Sequence, residues 1–201
     1  MFDRFIYRAI GPSCSALARP LARLGLKADL LTIAGFLIGL TALPLLALGH
    51  HGWALAAIVL NRFLDGIDGA LARLTDATDR GAFLDISLDF LFYASVPLGF
   101  AIFDPKANAL AATFLLVSFI GTCSTFLAYS LIAERRGLSA PHFRNKGIVY
   151  LSGMVEGFET ILFFVAMCLW SSYFPILAYV LALLCWLTVI LRLIAGWRGF
   201  S

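Results

Sequence analysis

Residues 61–90 read NRFLDGIDGALARLTDATDRGAFLDISLDF and concentrate charge in a chain that is otherwise apolar. The stretch holds six aspartates, which are half of the twelve acidic residues in the protein. Of the 201 residues, 61% are hydrophobic and 13% are charged, whereas soluble domains have about 45–50% apolar and about 25% charged residues. Because so little polar surface is available, the composition predicts an all-α integral membrane protein.

Six segments are mainly apolar and long enough to cross a membrane, which takes roughly 20 residues. The predicted transmembrane helices are residues 30–50, 51–74, 81–103, 107–133, 147–170 and 173–195. Before them, residues 1–27 alternate apolar and basic side chains. This pattern is typical of an amphipathic helix on an anionic membrane surface, here interrupted near Gly11 and Pro12. A plain basic tail that only sets the topology is the alternative.

Basic residues lie almost entirely on one side of this predicted topology. With six helices, thirteen of the fifteen Lys and Arg residues fall on the side of both termini, and Lys106 falls on the other. Cytoplasmic loops carry an excess of Lys and Arg. The protein is therefore expected in a bacterial cytoplasmic membrane, with both termini on the cytoplasmic side. The charged ends of the second and third helices are expected on the same side. No pattern of basic and aromatic residues suggests nucleic acid as a partner.

Four of the aspartates share faces of two adjoining helices. Asp65 and Asp68 fall within about a 60° arc of one helix, and Asp85 and Asp89 share a face of the next. A short turn makes the helices antiparallel neighbours, so the four carboxylates face each other near the membrane surface. Such carboxylates are costly unless they are protonated or neutralised by cations. They suit hard ions such as Mg²⁺ or Mn²⁺, whereas aspartates that only solvate a turn would not need to converge.

Small residues accompany this cluster. Glycine inside a helix costs up to about 1 kcal/mol relative to alanine. Gly66, Gly69 and Gly81 therefore predict that something bulky approaches the backbone closely, and Ala72 fits the same pattern. Arg73 follows directly and is a candidate for binding a phosphate at the membrane surface.

Together these residues resemble the signature of the CDP-alcohol phosphatidyltransferases, D-x2-D-G-x2-A-R-x8-G-x3-D-x3-D. The one departure is a spacer of seven residues instead of eight between Arg73 and Gly81. It falls in the predicted turn, where a change of length is best tolerated. The eight fixed positions that match are Asp65, Asp68, Gly69, Ala72, Arg73, Gly81, Asp85 and Asp89.

The resemblance implies an enzyme of phospholipid biosynthesis that transfers a phosphatidyl group from a CDP-linked donor, such as CDP-diacylglycerol, to a small polar alcohol and releases CMP. It implies two divalent metal ions, Mg²⁺ or Mn²⁺, with Asp89 as the general base. The implied metal ligands are Asp65, Asp68, Asp85 and Asp89. The implied donor-binding residues are Asp68, Gly69, Ala72, Arg73 and Gly81. Residues 1–27 would then be an amphipathic juxtamembrane segment and residues 28–201 a six-helix catalytic domain. A homodimer is also expected, because many relatives form dimers.

The sequence leaves the acceptor alcohol open. Residues 85–97, DISLDFLFYASVP, resemble a region of phosphatidylserine synthases, with both aspartates and Pro97 in place. The Pro and Lys found around these aspartates in bacterial phosphatidylglycerophosphate synthases are missing. Arg144 and Lys146 are candidates for binding a phosphorylated or carboxylated acceptor, with a purely topogenic role as the alternative.

Two glutamates lie inside the fifth predicted helix. Glu156 and Glu159 share a face, about 12–17 Å from its start at about 1.5 Å per residue. Intramembrane carboxyls normally face the interior of a bundle and mark function. They are candidates for the acceptor pocket, or form a neutral pair that packs against hydroxyls of the fourth helix.

A small cation transporter that uses the Asp cluster as its ion site is the alternative function. Transporters usually hold their ions near the membrane midplane, between repeats or broken helices. This cluster is predicted at one surface, and the sequence has no visible repeat, so the enzyme is favoured.

Overall fold

The computed structural model describes residues 3–75, 77–137 and 157–200, and their side chains from residue 11 onward. Within these ranges every regular element is a helix, which confirms the expected all-α class for the described residues. A short 3-10 helix at Ser171–Tyr173 precedes the last one. The α-helices are α1 Asp3–Arg23, α2 Ala28–Leu40, α3 Ala42–Ala47, α4 His51–Leu74, α5 Asp79–Phe103, α6 Pro105–Arg135, α7 Gly157–Leu169 and α8 Phe174–Gly199.

Four described segments are long and apolar enough to cross a membrane: Ala28–Ala47, Asp79–Phe103, Pro105–Arg135 and Ser171–Gly199. α4 is of similar length but carries charges in its second half, and the described part of α7 has 13 residues. Large apolar side chains such as Leu110, Ile120 and Leu183 are exposed on the outer surface, as expected where lipid is the solvent. The chain is an integral membrane protein, and length and apolarity alone support four of the six predicted spans.

The N-terminal helix α1 continues through Pro12, so the predicted interruption near Gly11 and Pro12 is wrong. An internal proline removes one backbone hydrogen bond, and packing against α4 offsets that loss. Cys14 and Ala18 are buried against this neighbour. Their partners on α4 are Ile67, Ala70 and Leu71.

The first predicted transmembrane helix consists of two helices, because α2 ends at Leu40 and α3 begins at Ala42. Pro44 has no N–H to donate to the carbonyl of Leu40, so the helical series of hydrogen bonds is interrupted there. Thr41 bridges the interruption. Its backbone N–H and its hydroxyl both donate to the carbonyl of Ile38, at 3.1 and 2.5 Å.

Short turns connect the antiparallel helices. Gly49, with a φ of 77°, takes up the left-handed conformation that glycine favours at the end of α3. The hydroxyl oxygen of Thr78 caps α5 by accepting from the N–H of Gly81 at 3.0 Å. The carboxylate of Asp104 caps α6 by accepting from the N–H of Ala107 at 3.1 Å. Side-chain caps of this kind satisfy the free N–H groups of a first turn.

An aromatic-rich core holds the helices together. Phe92, Phe100, Phe164 and Phe174 are fully buried, and the rings of Phe100 and Phe174 stack with centroids 4.4 Å apart. α2 and α3 pack against α4 and α5, while α8 lies along α6. The charged end of α4 and the charged start of α5 therefore meet at one end of the bundle.

Candidate functional site

Three of the four predicted aspartates converge where α4 meets α5. Asp65, Asp68 and Asp85 each place a carboxylate oxygen within 4.8 Å of the other two. Asp68 is buried, Asp65 is half-buried and Asp85 is exposed, so the cluster extends from the bundle interior to its surface. All donors are carboxylate oxygens, which are the ligands that Mg²⁺ and Mn²⁺ prefer. The residues therefore fit the kind of metal ion that the sequence predicts.

Asp89 lines the same cavity but is held by an arginine. Nη2 of Arg62 donates to Oδ1 of Asp89 at 2.6 Å, and Nη1 lies 3.3 Å from Oδ2. The same Nη1 lies 3.5 Å from Oδ2 of Asp65. The four carboxylates thus border one cavity. Three lie close together, and the fourth forms a two-point pair with a guanidinium that also makes one long contact with Asp65.

Arg62 was not predicted as a site residue. Its guanidinium carbon lies over the rings of Phe92 and Tyr93, 5.0 and 5.6 Å from their centroids. Its Nε donates to Oδ1 of Asn61 at 2.8 Å, and only 17% of the side chain is exposed. Its spacing could have indicated that Arg62 belongs to the site, because a residue three positions before Asp65 lies on the same helix face.

Asn61 connects this site to α2. Its Nδ2 donates to the backbone carbonyl of Gly35 at 2.9 Å. A Cβ on Gly39 would lie only 2.8 Å from Cγ of Asn61 and 2.9 Å from the ring of Phe92, so glycine is needed for this close approach. Thr32 and Gly35 also line the cavity, whose volume is about 10 Å³, roughly the space of one water molecule.

The glycines of α4 face different neighbours. A Cβ on Gly66 would lie 3.2 Å from Sγ of Cys14 on α1. The close neighbour that the sequence predicts at Gly66 is therefore α1, and the small size of this glycine serves the packing of two helices. Near Gly69 the closest atom is Nη1 of Arg73, 3.5 Å from an added Cβ. Arg73 is exposed and Ala72 is half-buried at this end of α4.

Gly81 lies in the first turn of α5, close to α2. A Cβ on Gly81 would lie 3.0 Å from Oδ1 of Asp29. Asp29 in turn accepts a hydrogen bond from Nε of Arg80 at 2.7 Å. This ion pair joins the starts of α2 and α5 beside the aspartate cluster.

Most of the predicted acceptor residues, namely Arg144, Lys146 and Glu156, lie outside the described residues. Glu159 is half-buried in the first described turn of α7. Hydroxyls on α6 donate to carbonyls of their own helix, as Thr125 does to Gly121 at 2.7 Å. The role of the two glutamates stays a prediction.

A larger cavity of about 690 Å³ lies between α6 and α8. Thr125, Tyr129, Arg192 and Trp197 contribute to its wall, and Nη1 of Arg192 donates to the carbonyl of Thr122 at 3.0 Å. None of its lining residues belongs to the aspartate motif. The smaller cavity is therefore the candidate site, because the carboxylates that can bind metal lie there.

Comparison with known proteins gives relatives along nearly the whole chain. A family model described as CDP-alcohol phosphatidyltransferase matches residues 26–194. The chain is 48% identical over 200 residues to the inner membrane protein YnjF of Escherichia coli K12, covering 100% of this chain and 96% of that protein. It is 30% identical over 177 residues to an archaetidylinositol phosphate synthase of Pyrococcus horikoshii, covering 88% and 86% of the two chains.

The fold is also similar to a solved structure. The crystal structure of a Mycobacterium tuberculosis phosphatidylinositol phosphate synthase with CDP-DAG bound matches with a TM-score of 0.67 and 24% identity. The match covers 92% of this chain and 93% of that one. The helical arrangement is therefore shared over almost the full length of both proteins.

Proposed function

Because the chain belongs to the CDP-alcohol phosphatidyltransferase family, we propose that it transfers a phosphatidyl group from CDP-diacylglycerol to the hydroxyl of a small polar alcohol. The observation that carries this proposal is the aspartate cavity. Three motif carboxylates have oxygens within 4.8 Å of one another, and Asp89 lines the same space. CDP-DAG bound to a protein of similar fold supports the choice of donor.

The motif aspartates would hold two divalent cations, Mg²⁺ or Mn²⁺. The ligands in this proposal are Asp65, Asp68, Asp85 and Asp89. Bound there, the ions would neutralise phosphate charge and stabilise the attacking and leaving oxygens of a displacement at phosphorus.

The chain's own residues supply the base and the donor subsite. Asp89 accepts the proton of the acceptor hydroxyl, which makes the oxygen a better nucleophile. That oxygen forms a bond to the phosphorus of the donor, while the bond from phosphorus to the CMP oxygen breaks and CMP leaves with the electron pair. Positioning and charge neutralisation carry most of such a reaction. The donor nucleotide and phosphates bind at Asp68, Gly69, Ala72, Arg73 and Gly81.

In the membrane we propose six spans, with both termini and the aspartate cavity at the cytoplasmic face. Residues 1–27 form the amphipathic juxtamembrane segment and residues 28–201 the catalytic domain. The burial of Cys14 and Ala18 against α4, with Arg19 exposed on the same helix, supports an amphipathic α1. At the cytoplasmic face a lipid donor arrives from the bilayer and a polar acceptor from water. We also propose that the protein forms a homodimer.

Serine, glycerol phosphate and inositol phosphate are the candidate acceptors. The relative named archaetidylinositol phosphate synthase supports inositol phosphate. The proposed acceptor-binding residues are Arg144, Lys146, Glu156 and Glu159. The transporter alternative has no support among the relatives described above.

The test is CMP release from CDP-diacylglycerol by the purified protein, with each acceptor supplied separately. Release is expected with one acceptor and is expected to stop when divalent cations are chelated. Asp89→Asn should lower turnover by about 10²-fold or more, since a general base contributes about 10²–10⁴-fold. Asp79→Asn is the matched control, because it makes the same change on α5 outside the cavity and should leave turnover intact.

Unchanged turnover in Asp89→Asn would show that this residue is not the base. A protein that releases no CMP with any acceptor, yet conducts cations across vesicles, would instead favour the transporter.

A further inference from the structure

We infer that Arg62 is a positioning residue that weakens the binding of a second divalent cation until an anionic phosphate group enters the cavity. In this arrangement Arg62 holds Asp89 apart from the other three carboxylates, and a second cation must compete with the guanidinium for Asp89. The inference rests on the proposed function, because it takes the aspartate cavity to be a metal site.

Both oxygens of Asp89 are engaged by the arginine. Oδ1 accepts from Nη2 of Arg62 at 2.6 Å, and Oδ2 lies 3.3 Å from Nη1. Charge-assisted, two-point contacts between Arg and carboxylate are the strongest hydrogen bonds that side chains make. Asp65, Asp68 and Asp85, by contrast, already lie within 4.8 Å of one another. Among these three, only Asp65 contacts Arg62, through a single long contact of 3.5 Å to Nη1. A first cation therefore has to loosen only this weak contact, whereas a second has to break the two-point ion pair with Asp89.

The arginine is fixed in this position from several sides. Its Nε donates to Asn61 at 2.8 Å, and Asn61 is itself anchored to the carbonyl of Gly35 at 2.9 Å. The planar guanidinium lies over Phe92 and Tyr93, and 17% of the side chain is exposed. A flexible surface arginine would have none of these restraints. Arg62 is therefore part of the cavity and takes part in its charge balance.

The formal charges favour the same conclusion. The cavity brings four carboxylates together with one guanidinium. One divalent cation and Arg62 would leave a single negative charge, and a second divalent cation would make the cavity net positive. Like charges in a site of low dielectric repel each other, so Arg62 disfavours the second cation until an anionic phosphate group enters. Removing the guanidinium removes this barrier.

The experiment counts Mn²⁺ ions bound to the purified protein without nucleotide, using the electron paramagnetic resonance of free Mn²⁺. Wild type is expected to bind one ion and a second more weakly. In Arg62→Gln the second ion should bind about tenfold more tightly, since a hydrogen bond to a charged group is worth about one tenfold step in an equilibrium constant. Arg80→Gln removes an arginine from another ion pair with an aspartate, outside the cavity, and should bind like wild type.

The double variant Arg62→Gln, Asp89→Asn should lose the gain, because the gain requires the Asp89 carboxylate. If Arg62→Gln fails to fold, Arg62→Met decides the question. Methionine keeps an apolar stem beside Phe92 and Tyr93 but carries neither the charge nor the hydrogen-bond donors, so the second ion should again bind more tightly than in wild type. Binding equal to or weaker than wild type in the folded variant overturns the inference.

Failure of the inference and failure of the proposed function look different. Equal affinity for the second ion in wild type and Arg62→Gln, together with metal-dependent CMP release, overturns only the role of Arg62. If wild type binds no Mn²⁺ and releases no CMP, the metal site itself is wrong, and the role of Arg62 is overturned with it.

Discussion

Asn61 shows how one side chain can connect helix packing to site geometry. Its amide nitrogen donates to α2 and its amide oxygen accepts from Arg62, so the backbone of one helix helps to position a charged group on another. Gly39 provides the space for this arrangement, since an added Cβ would lie 2.8 Å from Cγ of Asn61. Buried polar groups are costly unless they are paired, and here both ends of the amide are satisfied.

Gly39→Ala should therefore destabilise the protein and reduce its activity. The new methyl group would overlap Asn61 and Phe92, and overpacking of a well-packed interior costs about 1–3 kcal/mol. Gly52→Ala is the matched control, because nothing lies within 4 Å of its added Cβ; alanine there should be neutral or stabilising by up to about 1 kcal/mol. Thermal unfolding in detergent and CMP release measure the two effects. Equal midpoints for both variants would contradict the close packing at Gly39.

At the residue scale, the sequence predicts which side chains share a helix face but not what stands opposite them. The spacing of Asp65 and Asp68 correctly indicates that they converge with Asp85. For Gly66 the spacing indicates a close neighbour but not that this neighbour is a cysteine on α1. The engagement of Asp89 by Arg62 could not be predicted, because it depends on three helices that fix the arginine.

Among the helices, α1 is held to the site-bearing helix by a few small side chains. Cys14 and Ala18 are buried against α4, directly behind the aspartates. Small residues at such contacts allow helix backbones to approach closely within or beside a membrane. The position of α1 therefore depends on small residues that cannot be replaced by larger ones without separating the two helices.

Ala18→Phe is expected to push α1 away from α4 and to expose Cys14. In a variant whose other three cysteines are alanine, alkylation of Cys14 by a maleimide should become at least about tenfold faster, because a buried thiol reacts only after local opening. Ala16→Phe places the same ring on the exposed side of α1 and should leave the rate unchanged. Equal rates in the two variants would mean that α1 does not depend on this contact.

The prediction of helices succeeds for the bounds of α4, α5 and α6 and fails at two prolines. The predicted bounds of α4 coincide with His51–Leu74, and α5 and α6 begin and end within two residues of the prediction. Pro12 was expected to interrupt α1 and does not, whereas Pro44 interrupts the first span and was not expected to. Proline always removes a donor, but neighbouring packing decides whether the helix continues.

For the whole molecule, the predicted orientation in the membrane can be measured. In a variant without native cysteines, Lys106→Cys should react with a membrane-impermeant maleimide added outside intact cells. Arg136→Cys should react only after permeabilisation, since these positions flank opposite ends of α6 and the excess of basic residues marks the cytoplasmic side. The reverse pattern of labelling would contradict the cytoplasmic location of the cavity.

The overall class follows from composition, while the number of spans does not. A chain with 61% hydrophobic residues needs lipid around it, and the exposed leucines and isoleucines of the helices agree with this. α4 is the difficult case, because the charges in its second half leave it outside the four clear spans. Such a helix crosses a membrane only if its charges are satisfied inside the bundle.

Gly39, Asn61 and Phe92 come from three helices and share one small volume. A side chain at position 39 has room only if Asn61 or Phe92 gives way, so a replacement of this glycine is expected to require a second, compensating change. The site therefore tolerates fewer substitutions than its four aspartates alone would suggest, because a neutral substitution at position 39 depends on the residues at positions 61 and 92.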